Sequence, residues 1–115
     1  MNRLTRDELK QWIDHGEAGW LINVLDPTAF EQARIPGSHN ISIGSKDFEA
    51  RVETLTGGKD CRIVVYCSSF ECDASEAAAK RLAQAGFGQV YRYEGGMKDW
   101  REAAYPVEGE SGSVD

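Results

Sequence analysis

The chain has 115 residues, with 13 basic against 19 acidic side chains and a formal net charge of −6. This length suits one domain, and a composition that is 41% hydrophobic and 28% charged is typical of a folded globule and excludes a disordered or collagen-like chain. The acidic balance argues against nucleic acid or an anionic membrane as the main partner. We expect a cytoplasmic protein, because the longest apolar run, 63–67, is too short to span a membrane and the first residues lack the apolar core of a signal peptide.

The first half of the chain predicts alternating helices and strands. Thr5 and Glu8 have the spacing of a capping box, which predicts a helix over about residues 6–15. The apolar run 20–25 is typical of a strand buried on both faces, and an Asp-Pro pair predicts a turn after it. The elements expected next are a helical turn at 28–33, a strand at 40–43 and a helix at 45–55.

The second half contains the strongest strand signal, the β-branched run 62–66, which we expect to be the central strand. Asp73 and Glu76 have the spacing of a second capping box and predict a helix that ends at Gly86. The remaining expectations are a strand at 89–93, a short helix at 97–103, a domain that spans 1–107 and a flexible acidic tail at 108–115.

Strands alternate with helices throughout, and this order is typical of βαβ units. We therefore expect an α/β fold with a central, mainly parallel sheet of about four to five strands and helices on both faces. Ligands of such sheets bind beyond the carboxyl ends of the strands. The residue at the end of the central strand is Cys67.

Cys67 directly precedes a loop and the start of the next predicted helix. Backbone N–H groups and the helix macrodipole converge at such a place and favour the thiolate, the form that attacks electrophilic sulfur, phosphorus or arsenic. Alternatively, Cys67 only completes a buried strand, as free cysteines often do. Position alone leaves both interpretations open.

Three segments of the chain carry a further pattern. They are Leu25-Asp26 with Phe30 and 34–41, then 64–67 with Gly86-Phe87, and finally 93–97 with Trp100 and 105–107. In this order and at this spacing they resemble the motifs of single-domain rhodaneses, a family of sulfurtransferases. The resemblance covers about residues 4–107 and implies a rhodanese-like fold.

The resemblance implies that sulfane sulfur is transferred through Cys67. Its thiolate takes sulfur from thiosulfate or a persulfide, becomes a persulfide itself and passes the outer sulfur to a thiophilic acceptor. The implied partners are a small-molecule or protein-borne donor and a thiol acceptor, with no metal or other cofactor, and we expect a monomer. The implied substrate-binding residues are those of the following loop: Ser68, Ser69, Phe70, Glu71, Cys72 and Asp73.

The loop departs from the family pattern in its charge. The familiar loop carries an Arg five residues after the cysteine, where this chain has Cys72, and Pro27 stands where another Arg is common. Three carboxylates and no basic side chain lie between residues 67 and 79. Carboxylates repel a dianion at short range, so thiosulfate is expected to be a poor donor and a neutral or protein-borne persulfide a better one.

The other two cysteines have different expected roles. Cys72 is placed to meet Cys67 across the loop and to resolve a persulfide or a sulfenate into an internal disulfide, or else it only fills a small pocket under the loop. Cys61 lies at the opposite end of the strand, so we expect a structural role for it and no three-cysteine metal site.

Two other functions stay open at this stage. A catalytically weak rhodanese-like module would bind a partner protein or sense redox state through Cys67 and Cys72. A phosphatase or arsenate reductase would need an Arg at the end of the loop to hold an oxyanion, and this loop has none, which makes that function the weakest of the three.

Overall fold

The computed structural model describes residues 2–110 and contains a single five-stranded sheet. The elements in chain order are β1 (Asn2–Leu4), α1 (Arg6–Asp14), β2 (Trp20–Asn23), α2 (Pro27–Gln32), β3 (His39–Asn40), α3 (Phe48–Thr56), β4 (Arg62–Tyr66), α4 (Ala74–Gln84), β5 (Gln89–Tyr93) and α5 (Gly96–Glu102). The strand order is β1-β5-β4-β2-β3, and every neighbouring pair is parallel. The expected α/β fold is confirmed, and β4 is its central strand.

The central strand β4 is buried on both faces. Ile63 and Val65 belong to a core cluster that includes side chains of α3 and α4, whereas Val64 and Tyr66 belong to a second cluster with α1 and α5. Because successive side chains of a strand point to opposite faces, these two clusters lie on the two sides of the sheet. Helices therefore cover both faces, as expected.

The predicted capping box begins α1. The Thr5 hydroxyl accepts a hydrogen bond from the Glu8 N–H at 3.2 Å, and the Glu8 carboxylate accepts one from the Thr5 N–H at 2.9 Å. Leu9, on the inner face of the same helix, is fully buried. Two orphan N–H groups are thus satisfied by residues only three apart, which explains why this start is visible in the sequence.

Several strand and helix bounds differ from the prediction, and the strand predicted at 20–25, for example, ends at Asn23. The parallel edge strand β1, which pairs with β5, was not predicted, because only Leu4 of its three residues is buried and no alternating pattern results. The strand predicted at 40–43 contracts to His39–Asn40, and the helix predicted at 45–55 begins at Phe48. Tertiary pairing sets these bounds, and local propensity does not.

The start of the predicted acidic tail is hydrogen-bonded to the domain. Arg34 and Glu108 exchange two backbone hydrogen bonds of 2.8 and 2.9 Å as an isolated antiparallel bridge, and the Glu110 N–H donates to the Glu31 carbonyl at 3.0 Å. The packed chain therefore extends beyond the expected boundary at 107, whereas residues 111–115 lie outside the described part. Within residues 2–110 the helices are too short or too polar to cross a membrane.

Candidate active site

The loop of residues 67–73, which we call the cysteine loop, joins β4 to α4 where the parallel strands end. Cys67 follows β4 directly and is 1% exposed. The Met97 N–H donates to the Cys67 carbonyl at 3.0 Å, and the Lys98 N–H donates to the Ser68 carbonyl at 2.8 Å. Backbone donors of α5 therefore fix the first two residues of the loop.

Gly96 allows α5 to approach the cysteine loop this closely. It has a positive φ of 66°, which L side chains rarely adopt. A Cβ atom at this position would lie 2.5 Å from the Cys67 carbonyl oxygen and 2.7 Å from backbone atoms of Ser68 and Ser69. This glycine of the third motif is thus required by the close contact of two backbones.

The cysteine loop brings Cys67 and Cys72 together. The structure pairs the two sulfurs as a disulfide, with Cα atoms 6.5 Å apart. The Cys72 N–H donates to the Ser69 carbonyl at 3.1 Å, which closes a turn between the two cysteines, and the Cys67 sulfur lies 3.4 Å from the Cys72 carbonyl oxygen. Cys72 is partly exposed, so the pair consists of one buried and one partly exposed cysteine.

A buried cation reaches the cysteine loop from β5. Arg92 is only 6% exposed, and its guanidinium donates to the Ser75 hydroxyl at 2.9 Å and to the Cys72 carbonyl at 3.4 Å. A third hydrogen bond, of 3.2 Å, goes to the Glu94 carboxylate, which also forms an ion pair with the guanidinium. Arg92 and the Cys67 sulfur therefore contact the same carbonyl oxygen, that of Cys72.

The carboxylates of the site are less isolated than the sequence indicates. Backbone and Ser69 hydrogen bonds, followed by the positive charge of Lys98, lower the pKa of the exposed Glu71. Glu76 forms an ion pair of 3.5 Å with Lys80 one helical turn away. The cysteine loop itself contains no basic residue, but the fold brings cations of other elements close to the carboxylates of the site.

The second predicted capping box is wrong. Asp73 precedes α4, but its side chain makes no capping hydrogen bond, and its backbone is helical with φ −87° and ψ −7°. A capping side chain requires an extended backbone, which points its oxygen at the first-turn N–H groups. Here the loop enters the helix already coiled, so the carboxylate is carried away from the helix start.

The remaining predicted loop residues lie at the surface around the cysteine pair. Ser68 and Phe70 are exposed, the latter by 62%, and Ser69 is partly exposed. Among residues 2–110, Phe70 stands out as the exposed large apolar side chain. This exposed ring belongs to the segment between the two cysteines.

The first motif has a structural role next to the site. The Asp26 carboxylate accepts a hydrogen bond of 2.9 Å from the Ala29 N–H and caps α2, whose first residue is Pro27. Proline is favoured at this position because its ring presets φ and no N–H is lost. Helix capping therefore accounts for the proline that replaces the expected Arg.

Cys61 and His39 lie away from the cysteine loop. The Cys61 thiol donates to the Thr56 carbonyl at 3.4 Å and is not paired with another cysteine, and the exposed His39 ring packs 5.4 Å from the Trp20 ring. Within the described chain no three His, Cys, Asp or Glu side chains are grouped closely enough to hold a metal ion.

Residues 5–103 match the sequence model of the Rhodanese-like domain. The chain belongs to this family. A thiosulfate sulfurtransferase GlpE of Pseudomonas aeruginosa is 30% identical over 114 residues, which cover 98% of this chain and 94% of that protein. An HTH-type transcriptional regulator of Mycobacterium tuberculosis is 34% identical over 105 residues, which cover 91% of this chain and 44% of the regulator.

Two solved structures superpose closely on this chain. A protein from Bacillus halodurans superposes with a TM-score of 0.85 at 30% identity, covering 96% of this chain and 79% of that one. The rhodanese-like domain of a protein from Anabaena gives a TM-score of 0.84 at 26% identity, covering 100% and 84% of the two chains. The family and the fold inferred from the three motifs are therefore confirmed.

Sequence reasoning missed two residues of this rhodanese-like site, Arg92 and Lys98. Arg92 lies two residues after Val90 on β5, so both side chains point to the same face of the sheet. Val90 belongs to the core on that face, so Arg92 occupies an inward position, one residue from the carboxyl end of a strand next to β4. A charged residue at an inward position of a strand needs a buried partner. That signal was present in the sequence, whereas the proximity of Lys98 to Glu71 depends on how α5 packs.

Proposed function

We propose that the protein is a sulfurtransferase or sulfur carrier that uses Cys67 as its nucleophile. The observation that carries the proposal is the position of Cys67, directly after the central strand of a rhodanese-like fold, where open parallel sheets bind their ligands. The similarity to proteins named thiosulfate sulfurtransferases extends over nearly the whole chain and supports the same chemistry.

Two displacement steps describe the transfer. The Cys67 thiolate attacks the sulfane sulfur of thiosulfate or of a persulfide, and sulfite or a thiolate leaves with the electron pair of the broken bond. Cys67 then carries the sulfur as a persulfide. A thiol or other thiophilic acceptor attacks the outer sulfur, and Cys67 departs as a thiolate, so no metal or organic cofactor takes part in either step.

The rest of the cysteine loop provides the surroundings of that sulfur. Ser68 and Ser69 follow Cys67 directly in the loop, and the exposed Phe70 offers an apolar contact to the donor or the acceptor. Glu71 and Asp73 carry the negative charge that disfavours thiosulfate, and Lys98 and Arg92 offset part of it. We expect a neutral or protein-borne persulfide to react faster than thiosulfate, and the difference to shrink as salt screens the carboxylates.

The experiment measures donor consumption, which does not depend on the later fate of the sulfur. Reduced protein is mixed with cyanide as the acceptor and with either thiosulfate or a low-molecular-weight persulfide as the donor. Donor consumption is followed as sulfite released from thiosulfate or thiol released from the persulfide, and thiocyanate formation is measured in the same samples. We expect turnover in the parent and in Cys61→Ser, whose thiol lies at the other end of β4, and none in Cys67→Ser. Equal donor consumption by Cys67→Ser and the parent would refute the proposal.

A second candidate function is a redox-sensing or interaction module with weak catalysis. The pairing of Cys67 with Cys72 favours it, because a reversible disulfide is the element that such a sensor needs. The segment of the Mycobacterium regulator that is similar to this chain covers 44% of that protein, so a related segment is combined there with other sequence in a protein named a transcriptional regulator. This function predicts no donor consumption with any sulfane donor, but a loss of about 2 Da on mild oxidation that Cys72→Ser abolishes.

A further inference from the structure

The cysteine loop contains a second nucleophile within reach of the first. The Cys67 and Cys72 Cα atoms are 6.5 Å apart, inside the range of about 4.4–6.8 Å that disulfides span. Cys67 is almost fully buried, and Cys72 is partly exposed. A persulfide on Cys67 would therefore have an internal thiol beside its inner sulfur, while external thiols have restricted access to that sulfur.

We infer that Cys72 resolves the Cys67 persulfide and releases its outer sulfur as hydrogen sulfide, an inference that rests on the proposed function because the persulfide must first form. The Cys72 sulfur attacks the Cys67 Sγ, and a bond forms between the two cysteines. The bond between Cys67 and the outer sulfur breaks, and its electron pair leaves with that sulfur. The outer sulfur takes up the Cys72 proton and departs as HS⁻, so two cysteine sulfurs are oxidised while one sulfane sulfur is reduced.

The cycle requires an external dithiol as reductant. One thiol of the dithiol attacks the sulfur of Cys72, the more exposed residue of the pair, and Cys67 leaves as a thiolate. The second thiol of the reductant then completes the reductant's own disulfide and releases Cys72. Each cycle consumes one sulfane donor and one dithiol and releases one sulfide. The protein would then act as a dithiol-dependent sulfane reductase in addition to a sulfur carrier.

Backbone and side-chain contacts hold both cysteines in place for this step. The Met97 N–H fixes the Cys67 carbonyl, the Arg92 guanidinium fixes the Cys72 carbonyl, and a turn through Ser69 fixes the Cys72 N–H. An internal thiol held this way acts at an effective concentration of millimolar or above, without the entropy loss of bringing a second molecule to the site. This favours internal attack over attack by a dilute external thiol.

The test is a single turnover without any added thiol. Reduced, desalted protein is mixed under argon with thiosulfate or a low-molecular-weight persulfide, and a gas stream carries released hydrogen sulfide into a zinc trap. Intact mass is recorded for the parent, Cys72→Ser and the matched control Cys61→Ser. Donor consumption is measured in the same samples, so that formation of the persulfide is scored separately from its resolution, and an anaerobic sample without donor corrects for oxidation.

We expect the parent and Cys61→Ser to release about one sulfide per chain and to lose about 2 Da, whereas Cys72→Ser retains about 32 Da of added sulfur and releases at least about tenfold less sulfide. A parent that consumes donor but keeps the added sulfur overturns the inference and leaves the proposed function intact. No donor consumption by any variant overturns the proposed function instead. If Cys72→Ser does not fold, the mass and sulfide yield of the parent still decide the question.

Discussion

Replacement of Gly96 by alanine tests whether the contact between α5 and the cysteine loop holds the candidate nucleophile in place. The added Cβ would lie 2.5 Å from the Cys67 carbonyl oxygen, whereas ordinary van der Waals contact begins at 3.4 Å. The atoms that the Cβ would meet all belong to the backbone, so no flexible side chain can move aside. The loop must retreat by about 1 Å, a displacement large enough to impair catalytic geometry.

The free energy of unfolding should fall through two separate effects. An alanine at φ 66° costs about 1–2 kcal/mol in the left-handed region, and the overlap with the loop adds about 1–3 kcal/mol. Gly16 offers a matched control, because its φ is 70° but a Cβ there meets nothing within 4 Å. Gly16→Ala should therefore show only the first effect, and the difference between the two variants measures the loop contact.

Urea denaturation followed by tryptophan fluorescence measures both stabilities, and sulfite release from thiosulfate measures the reaction of Cys67. We expect Gly96→Ala to be less stable than Gly16→Ala by about 1–3 kcal/mol and to consume donor about 10–100-fold more slowly. Gly16→Ala should react like the parent. Equal stabilities for the two variants, or parental donor consumption by Gly96→Ala, would show that the loop does not depend on this contact.

Three further predictions concern charge and protonation. Arg92→Lys keeps the charge but cannot donate to three acceptors at once, so we expect the free energy of unfolding in urea to fall by about 1–3 kcal/mol. The control Arg101→Lys, at an exposed position, should leave the free energy of unfolding unchanged, and equal losses for the two variants would contradict this role of Arg92. Burial raises the pKa of Tyr66, so its contribution to stability is complete below about pH 10 and is lost as the pH rises towards the folded-state pKa. Urea denaturation at a series of pH values above 10 should show that the free energy of unfolding falls less steeply with pH for Tyr66→Phe than for the parent. Equal slopes for the two proteins would refute this. Glu71→Gln should raise the rate of thiosulfate consumption about two- to fivefold at low salt but leave the rate with a neutral persulfide unchanged. The control Glu108→Gln should change neither rate. A rise with both donors would show that charge repulsion is not the cause.

Local signals predicted the elements that depend on neighbouring residues. The bounds of β4 and β5 match the predicted ranges, because β-branched and aromatic runs between turn residues specify strands at short range. The Thr5 capping box begins α1 for the same reason. The identical pattern at Asp73 failed, since the cysteine loop imposes a helical backbone there and the side chain cannot reach the helix start.

Elements that depend on distant residues were not visible in the sequence. β1 exists only through its pairing with β5, almost ninety positions along the chain, and Glu108 is joined to Arg34 by backbone bonds that no side-chain pattern encodes. The cation that contacts the cysteine loop lies outside the loop and the helix that follows it, so the sequence of that segment gives no sign of it. Arg92 lies on the next strand and reaches the loop through the parallel pairing of β4 with β5.

The sequence by itself determined the fold family, the position of Cys67 at the end of the central strand and the acidic character of the loop that follows. Periodicity, turn residues and motif spacing are local properties, and a parallel sheet places its strand ends at one edge whatever the details of packing. Only the tertiary structure decided between the two expected positions of Cys72, by pairing it with Cys67, and brought Arg92 and Lys98 to the same loop. These contacts depend on how α5 and β5 pack against β4, and packing is a property of the whole chain.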